Sequence, residues 1–347
     1  MINKHKDLKK IFYDYDRTAL TVLSQKYNWP RFRIDQLLEW QEKNIVSVDE
    51  MTNISKQIRE QLQKEMIWPP LEIVQIETSK KEPVKKYLFK LQDGNLIETV
   101  SMHYSYGHSV CLSTQVGCRM GCHFCASAKL GLNRNLTAGE MLAQIALIAH
   151  EEKSRISHVV LMGIGEALDN YEESILFLNR LRSKDGITIS LRNVTLSTCG
   201  LVPQIKKLAH ESLPITLAIS LHSANQEVRN TLMPIAKHYP IKDIISAADY
   251  YFEKTGRRVT YEYTLFKDIN DMPEEAEKLA NLLKHKNVHV NLIPANEIPD
   301  SDWTKLDMKN INQFQEILLK HHINSTIRHS AGQDITAACG QLRRQNA

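Results

Sequence analysis

Cys118, Cys122 and Cys125 lie within Cys118-Arg119-Met120-Gly121-Cys122-His123-Phe124-Cys125 and place three thiols at the spacing C-x3-C-x2-C. Three thiolates hold three corners of a cubic iron-sulfur cluster, and the usual set has a fourth. No fourth cysteine lies nearby, so the spacing predicts a [4Fe-4S] cluster with one open iron, free to bind a small chelating ligand. S-adenosylmethionine (SAM) offers an amino and a carboxylate group for that purpose. A structural zinc knot is the alternative, although it normally takes four Cys or His ligands in paired spacing. His123, between two of the cysteines, would become a fourth ligand only by bending the loop back on itself.

The chain has 347 residues, enough for one large domain and a smaller one, and a formal net charge of +4 that is only a weak pointer to nucleic acid. Residues 1–10 are polar, so no signal peptide is expected, and no apolar run approaches the ~20 residues that span a bilayer. A cytoplasmic location and no membrane partner follow as expectations. Six cysteines in a reducing compartment, three of them clustered, point to metal or redox chemistry instead of a disulfide framework.

From residue 1 to about 83 the pattern is helical, with amphipathic pieces at 33–40 (Ile34, Leu37, Leu38) and 54–66 (Ile58, Leu62, Met66). Such a Lys- and Arg-rich module either packs as a plain accessory domain or grips nucleic-acid backbone. Residues 84–103 read as a β-hairpin around Asp93-Gly94. Glu98 then lies on the returning strand, where a carboxylate most often faces solvent. Beyond the hairpin, strand and helix signals alternate, which predicts parallel β/α units. Strands are expected at 109–114, 158–162, 194–197, 215–221, 259–266 and 288–294. The capping-box spacing of Thr137-Ala138-Gly139-Glu140 announces the first helix. Six units are too few for a closed eight-stranded barrel.

In such an α/β architecture ligands gather at the C-terminal ends of the strands. The second strand ends in Gly163-Ile164-Gly165-Glu166, where glycines admit a ligand to the backbone and Glu166 accepts a hydrogen bond from an ammonium group. A glycine pair alone would be only a tight turn. Here the third strand ends at Ser197-Thr198, the fourth at Ser220-Leu221-His222 and the sixth at 291–296, so small polar side chains repeat along one rim.

The cysteine spacing after the first barrel strand resembles the radical SAM superfamily. That resemblance implies an α/β partial (β/α)6 radical SAM barrel over 104–333, with a small N-terminal helical domain (1–83), a β-hairpin extension (84–103) and a C-terminal tail (334–347). It assigns Gly165, Glu166, Ser197, Ser220, Leu221 (through its backbone), His222 and Asn296 to SAM. From about 87 to 341 the chain is more narrowly similar to the RlmN/Cfr family of RNA adenine methyltransferases. The motifs that carry the similarity are Met162-Gly163-Ile164-Gly165-Glu166-Ala167-Leu168, Ser220-Leu221-His222-Ser223, Leu232-Met233-Pro234-Ile235 and Ala337-Ala338-Cys339-Gly340-Gln341.

The family chemistry answers a problem of reactivity. C2 or C8 of adenine is electrophilic, so simple methyl transfer from SAM has no nucleophile there. The resemblance implies two SAM molecules per turnover: one methylates Cys339, and the other, bound to the cluster and reduced, yields a 5′-deoxyadenosyl radical that takes hydrogen from the S-methyl group. The methylene radical adds to the ring, Glu98 removes the ring proton, and Cys111 attacks the sulfur of Cys339 to release product as a transient disulfide forms. Ribosomal or transfer RNA, and an electron donor such as flavodoxin or ferredoxin, are the implied partners of a monomeric enzyme. Cys199 matches no catalytic position and reads as a buried structural thiol. Ala167 stands where RlmN-type members usually have proline, as in Cfr-type members, whereas the tail is RlmN-like, so C2 and C8 both remain open. A radical SAM enzyme on another substrate, or a zinc-stabilised RNA-binding module without catalysis, are the competing readings.

Overall fold

The computed structural model describes residues 9–129, 131–296 and 306–342. Residues 1–8 of the expected N-terminal domain and 343–347 of the expected tail lie outside them. The chain opens with α1 (Arg17–Lys26), α2 (Phe32–Glu42) and α3 (Lys56–Glu65). Each buries one apolar stripe, Leu20 and Leu23, then Ile34, Leu37 and Leu38, then Ile58 and Leu62, as a 3.6-residue period requires.

The helical reading of 1–83 fails beyond Glu65. Glu72–Thr78 is a strand, β1, paired antiparallel with β2 (Val84–Lys90). Pro69-Pro70 stops the helix, and Ile73, Val74, Ile76 and Thr78 are strand formers that find a partner in the hairpin. β2 turns at 91–95, as Asp93-Gly94 predicts, into β3 (Leu96–Tyr104), which pairs antiparallel with β4 (Gly107–Cys111). β5 (Gln115–Gly117) and β6 (Leu132–Asn135) form a separate ribbon that brackets the three-cysteine loop.

The β/α alternation follows with α4 (Ala138–Glu152), β7 (His158–Leu161), α5 (Tyr171–Arg182), β8 (Val194–Thr198), α6 (Val202–Leu208) and β9 (Thr216–Ser220). Next come α7 (Gln226–Leu232), α8 (Ile241–Thr255), β10 (Val259–Leu265), α9 (Pro273–Leu283) and β11 (Val288–Pro294). α10 (Met308–Lys320) and β12 (Ser325–Ile327) complete the series. One sheet runs in the order β1-β2-β3-β4-β7-β8-β9-β10-β11-β12. Its members from β4 onward are parallel, and β1 to β3 extend it antiparallel at one edge. β12 adds a seventh parallel strand to the six expected; at three residues it is too short to show a period. The first strand stops at Cys111, and 112–114 bond to β7 and the loop after it, Leu112 N–H to Val160 O at 2.9 Å and Thr114 N–H to Ile164 O at 2.9 Å.

The N-terminal module is fastened to the barrel at buried polar points. Arg180 on α5 donates to the carbonyl of Tyr13 and, at 3.1 Å, to Gln41 Oε1. Thr137 caps α4, and its hydroxyl donates to Asp14 Oδ1 at 2.8 Å. Among the described residues no helix is long and apolar enough to cross a membrane.

Thr137 closes the capping box and joins the two parts. Thr137→Ala is therefore expected to lower unfolding free energy by about 1–2 kcal/mol, read as a lower denaturant midpoint at unchanged slope. An unchanged midpoint would mean that neither bond contributes.

Candidate active site

The three-cysteine loop hangs from the end of β5 with Cys118 buried and Cys122 and Cys125 half-buried. His123 points outward: it is exposed, and its N–H donates to Leu232 O at 3.0 Å. Phe124 turns inward and packs edge-on against His222, 4.8 Å between ring centres, and against Phe266 at 5.4 Å. The loop is thus braced by the strand ends expected to hold SAM. Burial pushes the Cys118 thiol up to about 12, raises Cys122 and Cys125 as well, and the thiols interact electrostatically. Buried neutral thiols become good ligands only when a metal takes their protons.

The spacing of the sulfurs bears on which metal. Among the described residues, the one set of three Cys, His or carboxylate atoms within 4.8 Å of one another is His103, His108 and Glu152. The loop thiols therefore stand wider than that. Tetrahedral zinc with Zn–S of ~2.3 Å would draw its sulfurs to roughly 3.8 Å apart. The three loop thiols are not all that close to one another in this structure; His123 is exposed, while Glu166 and Cys199 lie within electrostatic reach of Cys118 and Cys122.

The expected SAM residues line the barrel's C-terminal rim. Gly165 has φ of +111°, and a Cβ there would lie 2.7 Å from Gln115 Cβ, so glycine lets this loop close over β5. Glu166 is buried; its carboxylate accepts the N–H groups of Leu168 at 3.1 Å and Cys199 at 2.8 Å, which offset the upward push of burial. Ser197 and Ser220 on neighbouring strands face each other at 3.5 Å between hydroxyls. Leu221 is wholly buried and donates its N–H to Glu262 O at 3.0 Å. His222 has φ of +57° and accepts the Thr264 N–H on Nδ1 at 3.0 Å; burial depresses it to about 3, so the ring is neutral at physiological pH. Asn296 stands apart from the others, because both ends of its amide are taken by the tail: Nδ2 donates to Cys339 O at 3.1 Å and Oδ1 accepts from Gln333 Nε2 at 3.0 Å.

Cross-strand register gathers the three expected catalytic residues. Glu77, Lys86, Val100 and Cys111 lie opposite one another on β1 to β4 and so share a face, which Glu98, two residues from Val100, also shares. Glu98 is buried and not solvent-facing, with its Oε1 3.5 Å from Lys86 Nζ. Onto this face folds the tail, whose Ala337 and Leu342 cluster with Val84, Val100 and Ile164, with Cys111 packed against that cluster. On its other side the tail meets the cysteine loop: Ala126 N–H donates to Gly340 O at 2.8 Å and Ser127 Oγ to Leu342 O at 2.6 Å. Gly340 has φ of +80°, and a Cβ there would lie 3.1 Å from Phe124 O. Cys339 reaches solvent at the mouth, within electrostatic reach of Cys125 and Cys111. The protein crowded around it raises its thiol, which Arg328 opposes; Cys111 is raised further, by burial and then by Cys339.

Several residues here escaped the sequence reading. Arg229, fully buried, donates to the carbonyls of Leu221 at 3.0 Å and Cys199 at 2.7 Å, and so ties the ends of β8 and β9 together. Glu262 and Asn291, opposite each other on β10 and β11, bond at 2.8 Å inside the barrel. An acid inside the apolar run 259–265 was the available signal for Glu262; a single arginine on a short helix gave none for Arg229. Cys199 is buried beside Glu166, as a structural thiol would be.

A model of the radical SAM superfamily matches residues 112–283, and one described as a ribosomal RNA large subunit methyltransferase N-terminal domain matches 12–67. A protein of Lachnoclostridium phytofermentans named a probable dual-specificity RNA methyltransferase RlmN is 46% identical over 97% of this chain and 94% of its own. One of the same name from Alkaliphilus oremlandii is 48% identical over 94% of each. The crystal structure of a radical SAM methyltransferase from Sphaerobacter thermophilus superposes with a TM-score of 0.93 at 40% identity, covering 96% of this chain and 99% of that one.

Replacing Cys118, Cys122 or Cys125 by alanine is expected to abolish the broad visible absorbance and iron content of anaerobically prepared protein, and reductive SAM cleavage with it. Full iron content in any one variant would contradict the ligand set; stoichiometric zinc in colourless wild-type protein would restore the knot.

Proposed function

We propose, because this chain belongs to the RlmN family of radical SAM methyltransferases, that it methylates a ring carbon of adenosine, C2 or C8, in RNA. The substrate is 23S ribosomal RNA at the peptidyl-transferase centre, and transfer RNA is a second substrate. The observation that supports this most is the seating of Cys339 between the cysteine loop and the face that carries Glu98 and Cys111. A radical SAM enzyme acting elsewhere has no use for a tail thiol in that place.

When bound, the [4Fe-4S] cluster and SAM supply one-electron chemistry that removes a hydrogen atom from an unactivated methyl group. The chain's own residues do the rest. Cys339, methylated by one SAM, gives up that hydrogen as a second SAM is consumed, and its methylene carbon bonds to the ring. The adduct sheds one electron to the one-electron carrier, and Glu98 takes the ring proton. Cys111, deprotonated for the purpose, attacks Cys339 Sγ: an S–S bond forms, the S–C bond breaks, and its electron pair goes to the carbon, which takes up a proton to become the methyl group. An external thiol reduces the disulfide before the next turnover. Flavodoxin or ferredoxin supplies electrons to a monomeric, cytoplasmic enzyme. The target base swings out of its RNA into the mouth, and Lys and Arg side chains of the helical module contribute backbone contacts whose strength falls with salt.

The two cysteines separate cleanly in a test. Cys339→Ala should give neither methylated RNA nor a covalent complex. Cys111→Ala should complete addition and stall, leaving an RNase-sensitive, higher-mass band that the double variant lacks. Multiple turnover by Cys111→Ala with no adduct at any time would remove the disulfide step.

A further inference from the structure

Lys86, on the shared face, has had no role so far. Its side chain is only 4% exposed, and its ammonium reaches in three directions. It lies 3.5 Å from Glu98 Oε1 on β3 and 3.2 Å from Glu77 Oε1 on β1, and donates to Thr336 Oγ1 in the tail at 2.9 Å. The ammonium thus has two carboxylates as ion-pair partners and one hydroxyl as hydrogen-bond acceptor. A buried lysine persists only when paired, so the pairing accounts for its charge, and the geometry shows what that charge is for.

Fastening the tail does not call for an ammonium. Ser79 Oγ already donates to Asp334 Oδ1 at 2.8 Å, Lys80 N–H to Asp334 Oδ2 at 3.0 Å, and Gly332 N–H to Glu82 Oε2 at 2.7 Å. What a neutral donor would not do is balance Glu98 in a buried site. Thr336 meanwhile has φ of +50°, a conformation that a β-branched residue adopts only when its surroundings hold it. It stands three residues from Cys339, so displacement of the tail thiol pulls on the contact between Lys86 and Thr336.

We propose that Lys86 is a positioning residue that holds the Glu98 carboxylate in place and ties its readiness to the seating of the Cys339 tail. This rests on the function proposed above. With the tail seated, Thr336 takes one donor and fixes the ammonium where it orients Glu98 toward the adduct. With the tail displaced, that donor is released, the ammonium is free to turn fully onto Glu98, and the carboxylate is drawn away from its task. Proton removal then runs only while Cys339 is in place.

The test uses full-length, cluster-loaded enzyme and substrate RNA, with adenosine protonated or deuterated at the methylated carbon. Lys86→Gln should load methyl on Cys339 and form 5′-deoxyadenosine as wild type does. Its covalent adduct should decay at least about tenfold more slowly, with a deuterium isotope effect that the wild type lacks because proton removal has become limiting. Lys86→Arg, which keeps the charge, should recover part of the rate. Adduct decay at the wild-type rate without an isotope effect would overturn the proposal. If Lys86→Gln does not fold, Thr336→Val carries the test: slowed decay after normal methyl loading supports the coupling, and wild-type decay overturns it. Absence of methyl from Cys339 in the wild type would sink the function itself, whereas an adduct trapped by Glu98→Gln but not by Lys86→Gln would sink only the assignment of Lys86.

Discussion

The site depends on the docking of a short C-terminal tail across the inner face of β1 to β4. Without it the chain is a radical SAM barrel with a cysteine loop; with it, a thiol is delivered to the space between that loop and a buried carboxylate. The docking is built from contacts of modest size. A small apolar patch around Val84, Val100 and Ile164 receives Ala337 and Leu342, and hydrogen bonds to Asp334, Gly332, Thr336 and Gly340 each contribute about 0.5–1.5 kcal/mol. A sum of such terms seats the tail firmly enough to place Cys339 and weakly enough for it to yield when a nucleotide is attached. Gly340, against the carbonyl of Phe124, makes the seating specific to the loop conformation in which the cysteines face inward.

Burial then governs the thiols. It raises the loop cysteines and Cys111, and the protein crowded around the solvent-reaching Cys339 raises that thiol too, so none is a thiolate by default and each reacts only where something takes its proton. For the loop set that is a metal. For Cys339 the pull comes from Arg328, and for Cys111 it comes only once a base is at hand. In the mechanism proposed above, a resolving thiol held neutral is protected from attacking early, which favours completion of addition before release. The same low-dielectric surroundings magnify the field of Lys86 on Glu98.

How much of this the sequence disclosed follows from the range of each signal. Local patterns read well: the capping box at Thr137, the turn at Asp93-Gly94, and the parallel strands that end at Leu161, Thr198 and Ser220, just short of Glu166 and His222. Long-range pairing did not. The β-branched residues of 72–78 favour a strand, but the partner that makes them one, β2, lies outside the segment, and β12 is only three residues long. Glu98 looked like a surface carboxylate, whereas it is buried beside Lys86 of the neighbouring strand. Asn296, placed on the rim by its strand, turned out to hold the tail.

The central claim is that the methyl group passes through Cys339 and loses a hydrogen there before it reaches RNA. SAM labelled with deuterium throughout its methyl group tests this in one measurement, by mass spectrometry of the methylated nucleoside and of the 5′-deoxyadenosine released with it, using protein whose Cys339 was first loaded from the same label. Passage through a methylene predicts a product methyl group with two deuterium atoms and the third in 5′-deoxyadenosine. A product that retains all three deuterium atoms, with none in 5′-deoxyadenosine, would mean direct transfer and would contradict the role given to Cys339.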